Sequence, residues 1–329
     1  MPTLRVAEAT IAYFDTGLGT PVVLVHGSAS SRRQWRALTP LLAGRYRVIA
    51  PDLHGYGESG HWTGPEPMRA EDEAAIIAAL ARRIGKPFHL VGHSYGGCIS
   101  LVAAGMLADQ LLSLTLIEPS AFGLLAEDLG EGDTYDALAI LADRHVALAR
   151  AGELRECADA YMSYLIGSDR WAAVPPLPRL AITALMPRVA EEWPVVLSAP
   201  LRVADVAALK VPTLLLYGTA TNRASRRLAQ LLAAVLPQAK LAWVENADHR
   251  LPVTHASAVH RLLAAHLERH SGAPQGDETL AAPSVCRHNA DTHSSYPSVT
   301  RSNDQIVIRS AALASAAVLV VRLVVGAMR

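Results

Sequence analysis

Cysteine is scarce in this chain: Cys98, Cys157 and Cys286 are widely spaced, odd in number and include no CxxC pair. That excludes a disulfide framework and a zinc site, and reads as buried or incidental thiols in a reducing compartment. Net charge is also lacking, with 30 basic and 30 acidic side chains giving a formal charge of zero. No long-range field therefore favours nucleic acid, an anionic membrane or a highly charged substrate. None of the 13 histidines has ligand spacing with a second His or a carboxylate, so no metal and no cofactor is expected. No GxGxxG opens the first strand–helix unit, which argues against a dinucleotide site. The N-terminus from Met1 to Glu8 lacks a basic segment followed by an apolar stretch, so no secretory signal is visible and the cytoplasm is the expected compartment.

Apolar material is abundant instead. Of 329 residues, 51% are hydrophobic, enough for one large core or one core with a smaller lid. Short strands are expected at Leu4–Val6 and Ile11–Phe14. The runs Pro21–Val25 and Arg47–Ala50 lack polar alternation, as strands buried on both faces of a parallel sheet do. Ser30–Leu42 shows helical spacing in Trp35, Leu38, Leu41 and Leu42. Ala70–Ile84 is an amphipathic helix with Ala75, Ile76, Ala79, Leu80 and Ile84 on one side, an acidic first turn, and Gly85 as its stop. The strand Phe88–Val91, the helix Gly97–Met106 and the strand Leu112–Ile117 follow. The fold class is α/β, a mostly parallel sheet flanked by helices.

The alternation breaks after Glu118-Pro119. Thr134–Arg150, Glu153–Leu165, Pro178–Val189 and Glu191–Leu197 all read as helices, and the alternation resumes with Thr213–Tyr217, Ala224–Leu236, Lys240–Val244 and Ala256–His270. The expected organisation is a core of residues 1–122 and 208–270 with a helical cap at 123–207 over the ligand crevice. Residues 271–329 form a separate tail. Ser271–Asp304 is rich in Ser, Pro, His and Asn and is expected to be disordered. Ile306–Met328 is apolar but holds Arg309 and Arg322, and Arg322 inside the run favours an extension over a membrane anchor.

The chemistry concentrates at Gly92-His93-Ser94-Tyr95-Gly96-Gly97. A serine directly after a buried strand and before a helix, with glycines at 92 and 96, sits on a tight strand–turn–helix elbow. The glycines remove crowding, the Ser94 oxygen stands above the sheet edge, and the helix N-terminus behind it offers N–H groups to a developing oxyanion.

From Leu4 to His270 the chain resembles the α/β-hydrolase family. His26-Gly27-Ser28 ends the strand Pro21–Val25, Asp52-Leu53-His54-Gly55-Tyr56-Gly57-Glu58-Ser59 is of the DxxGxGxS type, and Asn246-Ala247-Asp248-His249 stands where the family keeps its base. The resemblance implies a Ser94 nucleophile, a His249 base, and an oxyanion hole from the N–H groups of Ser28 and Tyr95. His26 and His93 occupy positions that are usually structural in the family.

One position departs from the family. Many members carry an Asp after the strand that is here Thr213–Tyr217, but this chain reads Gly218-Thr219-Ala220-Thr221-Asn222-Arg223, with no carboxylate. Some members carry the acid one strand after the nucleophile strand, and Glu118 stands there. Glu118 is therefore the expected acid, with Asp248, Glu245, an Asn222-assisted site and an acid-deficient site as alternatives. Tyr161, Tyr164, Trp171 and Trp193 on the cap, with Met162 and Met186, are candidate pocket lining, as are His26, Gly27 and His93. The expected substrate is a small, largely uncharged ester, lactone or related carbonyl compound. Serine at 94 argues against the carboxylate-nucleophile chemistries of the family. A non-hydrolytic binding or receptor protein and a C–C bond hydrolase are the alternatives.

Overall fold

The β-branched runs form the middle of one sheet, in a computed structural model that describes residues 1–65, 67–128, 132–271 and 308–310. Its strands are β1 (Thr3–Val6), β2 (Ala9–Thr16), β3 (Thr20–Val25), β4 (Tyr46–Pro51), β5 (Phe88–His93), β6 (Leu111–Ile117), β7 (Thr213–Gly218) and β8 (Ala239–Val244). A three-residue β9 (Ile308–Ser310) lies antiparallel to β8. The order is β1-β2-β4-β3-β5-β6-β7-β8-β9, with β3 to β8 parallel and β1 and β2 antiparallel at the edge. From β3 the chain passes to β4 on one side, then returns to β5 on the other. The C-terminal ends of β3 and β5 thus flank the point where the order reverses, which is where such sheets bind ligands.

Both faces of the sheet are covered, so its central strands are apolar throughout. Val23 and Val25 pack with helices α2 (Ala70–Ile84), α3 (Tyr95–Leu107) and α11 (Arg223–Val235). Val22 and Leu24 pack on the other face with Trp35, Leu38, α1 (Thr39–Leu42), and α12 (Leu251–Thr254) and α13 (Ala256–His270). The helix expected over Ser30–Leu42 is in fact a 3-10 turn, Arg32–Ala37, followed by α1. Pro40 in the first turn of α1 has no N–H with which to continue a single α-helix.

Between β6 and β7 runs an all-helical insert: α4 (Gly132–Ala151), α5 (Leu154–Ile166), α6 (Ser168–Ala172), α7 (Pro176–Ala184), α8 (Met186–Ala190), α9 (Trp193–Ser198) and α10 (Val203–Ala207). Two expected helices are shorter than the periodicity suggests, because Pro187 and Pro194 start new helices α8 and α9. His266 is buried on α13. Ser271 ends α13 by donating from its hydroxyl to Leu267 O (2.6 Å). The remainder of the expected disordered stretch, and the apolar segment apart from Ile308–Ser310, lie outside the described residues. Among those described, no helix is long and apolar enough to cross a membrane.

Candidate active site

Ser94 follows β5 directly and caps α3, which begins two residues earlier than its periodicity suggests. Its backbone is at φ 53° and ψ −121°, a region that side chains rarely occupy. The surroundings hold it there. Its N–H donates to Ile117 O on β6 (3.0 Å), and its own carbonyl accepts from Gly97, Cys98 and Ser120 N–H groups. A Cβ at Gly92 would come within 2.3 Å of Ser100 Oγ, and one at Gly96 within 2.3 Å of His26 O. Only glycine lets β5, α3 and β3 approach this closely.

Ser94 Oγ is 2.8 Å from His249 Nε2, and His249 Nδ1 is 2.6 Å from Glu118 Oε2. All three side chains are buried. Glu118 ends β6 with φ 42°, the second strained residue of the site. The loop that lacks the expected Asp holds it: Gly218 N–H donates to Oε1 (2.7 Å) and Thr221 Oγ1 donates to Oε2 (2.6 Å). The alternative carboxylates face elsewhere. Asp248 pairs with Arg250 (2.6 Å), and Glu245 accepts from Thr219 and Trp243. Asn222 caps α11 by accepting from Ser225 N–H (2.9 Å).

Ser28 lies between two tethered residues. Gly27 N–H donates to Gln34 Oε1 (3.2 Å), and Ala29 N–H donates to the Tyr56 hydroxyl (3.2 Å). Tyr95 opens α3, so its N–H is among the first-turn donors without an intrahelical acceptor.

A narrow slot adjoins these groups, lined by Ser28, Ser120 and Phe122 from the sheet side and by residues of the insert that include Tyr161, Tyr164, Glu192 and Trp193. Six of the expected lining residues do not line it, Met162 and Met186 among them. Trp171 is buried beside Arg179, its indole N–H donating to Asp159 Oδ1 (2.6 Å). His26 is committed behind the wall: Nδ1–H donates to Gly27 O (2.8 Å) and Nε2 accepts from Leu53 N–H (3.0 Å). Gly27 faces His93 and the Ser94 Cβ, with no room for a side chain. His93 Nε2–H donates to the His249 carbonyl (2.9 Å), so it positions the His249 backbone. Burial holds His26 near pKa 4, and burial with the neighbouring His249 holds His93 near 3.

The periodicity missed two groups. Ser120, two residues beyond Glu118, brings its hydroxyl to 3.2 Å from Ser94 Oγ. A buried polar cluster also joins insert to core. Arg188 on α8 reaches Glu73 on α2 (2.7 Å) and the His54 carbonyl (2.8 Å), and lies over the Tyr56 ring. The Tyr56 hydroxyl donates to Glu192 Oε1 (2.7 Å). Burial raises the Glu73 carboxyl to about 7 against the pull of Arg188, and raises that of Glu192 as well. Nothing in the local pattern marks Glu192 as part of a slot, because its hydrogen-bond partner Tyr56 is distant in sequence.

The family model of the alpha/beta hydrolase family matches residues 22–262, well over half of the chain. The chain belongs to the α/β-hydrolase family. Among its α/β-hydrolase relatives, the pimeloyl-[acyl-carrier protein] methyl ester esterase of Aeromonas hydrophila is 28% identical over 73% of this chain and 92% of its own length. The dihydrolipoyllysine-residue acetyltransferase component of the acetoin cleaving system of Pseudomonas putida is 39% identical, over 36% of this chain and about a third (32%) of that protein. The solved structure of a thermophilic esterase from Thermogutta terrifontis superposes with TM-score 0.62 at 25% identity, covering 82% of this chain and 97% of that one. Its fold is that of this family.

Proposed function

We propose that the protein is a serine hydrolase that cleaves a small, largely uncharged ester, lactone or related carbonyl substrate through an acyl-enzyme. The observation that carries this reading is the unbroken buried line from Ser94 Oγ through His249 to Glu118. His249 Nε2 takes the Ser94 proton as Oγ attacks the carbonyl carbon, and the carbonyl π pair moves onto oxygen. The N–H groups of Ser28 and Tyr95 hold that oxyanion. Collapse expels the alcohol, which leaves with the proton from His249. A water then repeats the sequence and frees the acid and Ser94. Glu118 keeps the His249 proton on Nδ1 and balances the imidazolium. Because Glu118 reaches His249, the missing Asp after Gly218 no longer favours a non-catalytic binder. The small apolar slot suits a compact substrate.

A fluorophosphonate probe tests the reading. It is expected to label Ser94, and Ser94→Ala is expected to abolish both labelling and p-nitrophenyl ester hydrolysis while the fold is kept. Folded protein that resists the probe would refute it.

A further inference from the structure

The slot beside Ser28 is lined mostly by apolar and aromatic side chains, and Glu192 is the charged residue in its lining. The residue is 2% exposed and lines the slot together with Ser28, Val189 and Val196. One oxygen is committed: Oε1 accepts from the Tyr56 hydroxyl (2.7 Å), and Arg188 Nη1 lies 3.6 Å from it. The other is not. Oε2 is buried and makes no hydrogen bond of good geometry, although the Ser28 hydroxyl is close enough to the carboxyl to help stabilise its charge. A buried carboxylate oxygen left unpaired is costly, and natural proteins keep few such groups without a use. The Arg188 guanidinium makes its close contact with Glu73 instead, at 2.7 Å. Glu192 therefore keeps one oxygen without a well-formed hydrogen bond in a mostly apolar slot.

We infer that Glu192 is a specificity-determining residue whose Oε2 accepts a hydrogen bond from a hydroxyl or N–H donor on the substrate, close to the scissile carbonyl. This rests on the serine-hydrolase reading above. Plain alkyl substrates leave Oε2 unpaired, and substrates with a carboxylate at that place meet a like charge. A donor satisfies the oxygen and is preferred over its deoxy isostere. A site built around a polar group discriminates in this way far more strongly than an apolar wall does.

Matched p-nitrophenyl phosphonates test the inference. Each pair carries either an ω-hydroxyalkyl or an alkyl chain of the same length, two to four carbons, on phosphorus or on the alkoxy oxygen. Ser94 Oγ forms a bond to phosphorus, p-nitrophenolate leaves with the bonding pair, and the serine proton passes to solvent through His249. The release of p-nitrophenolate reports the rate. In the wild-type protein the hydroxylated member of at least one pair is expected to react roughly tenfold to a hundredfold faster. In Glu192→Met that ratio is expected to fall to about one, whatever the absolute rate. Should the Met variant not fold, Glu192→Gln serves: it keeps an acceptor for Tyr56, and its ratio is expected to drop roughly three- to tenfold as the bond loses its charge. A wild-type ratio near one at every length, or an undiminished ratio in the variants, would overturn the inference and leave Glu192 a strut for Arg188 and Tyr56. If neither member of any pair reacts with wild-type protein, the nucleophile assignment fails and this inference with it.

Discussion

Two residues of the site are held in left-handed backbone at the ends of neighbouring strands, Ser94 after β5 and Glu118 after β6. Each costs roughly 1–3 kcal/mol of local strain, and each is restrained by hydrogen bonds from the next strand. The consequence is a short, rigid reach from Glu118 to His249. Glu118→Gln keeps the side-chain volume and an acceptor for Gly218 N–H, but loses the charge that would steady the imidazolium in the proposed mechanism. Turnover of an activated ester is expected to fall by roughly three to four orders of magnitude with the melting temperature little changed. Steady-state kinetics beside a thermal melt checks this, and near-normal turnover would remove Glu118 from the relay. Ser94, His249 and Glu118 were legible in the chain because motif context marks each one. Glu192 and Ser120 were not, since a carboxylate on a helix and a serine after a proline look like ordinary surface groups until the fold places them.

At the scale of elements, the elbow depends on how closely β3, β5 and α3 approach. A Cβ at Gly96 meets main chain on two sides, 2.3 Å from His26 O and 2.6 Å from Val25 O, and neither can move without shifting the strand that carries Ser28. Gly96→Ala is expected to cost about 1–3 kcal/mol of stability and most of the activity. Gly105 provides the contrast: it lies in the same helix with nothing within 4 Å of a Cβ. Gly105→Ala is expected to gain about 0.5–1 kcal/mol and leave turnover unchanged. Denaturant titrations of the two variants measure both. The insert shows how elements diverge from periodicity. Its helices were visible as apolar repeats, but their lengths follow Pro187 and Pro194, which restart the chain where hydrophobic spacing runs on.

Over the whole molecule, six buried histidines dominate the response to acid. Burial holds His26, His54, His89 and His145 near 4, and His93 and His266 near 3, against 6.5 in the unfolded chain. For a base with a lowered pKa, the unfolded state binds more protons as pH falls. The stability is therefore whole above pH 6.5 and drains away as pH drops toward 4 and then 3. Glu73 opposes this: with a carboxyl raised from 4.5 to about 7, its contribution is present below 4.5 and lost as pH rises through 7. The Glu192 carboxyl, also raised by burial, acts in the same direction as Glu73; six groups outweigh two, so the urea midpoint is expected to fall steadily from pH 7 to pH 4, and a flat profile would contradict the assignment. The local pattern of residues determined by itself the alternating strands and helices, the elbow at Ser94 and the order of Ser94, Glu118 and His249. Each rests on spacing or backbone strain that short stretches of chain encode. Only the tertiary structure decided that the acid-free Gly218–Thr221 loop holds Glu118, that His26, His93 and Trp171 stand outside the slot lining, and that Glu192 lines it. Those outcomes depend on contacts between residues about 100 or more positions apart in several cases, such as Glu118 with Gly218 and Tyr56 with Glu192, where burial and hydrogen bonding leave no periodic trace.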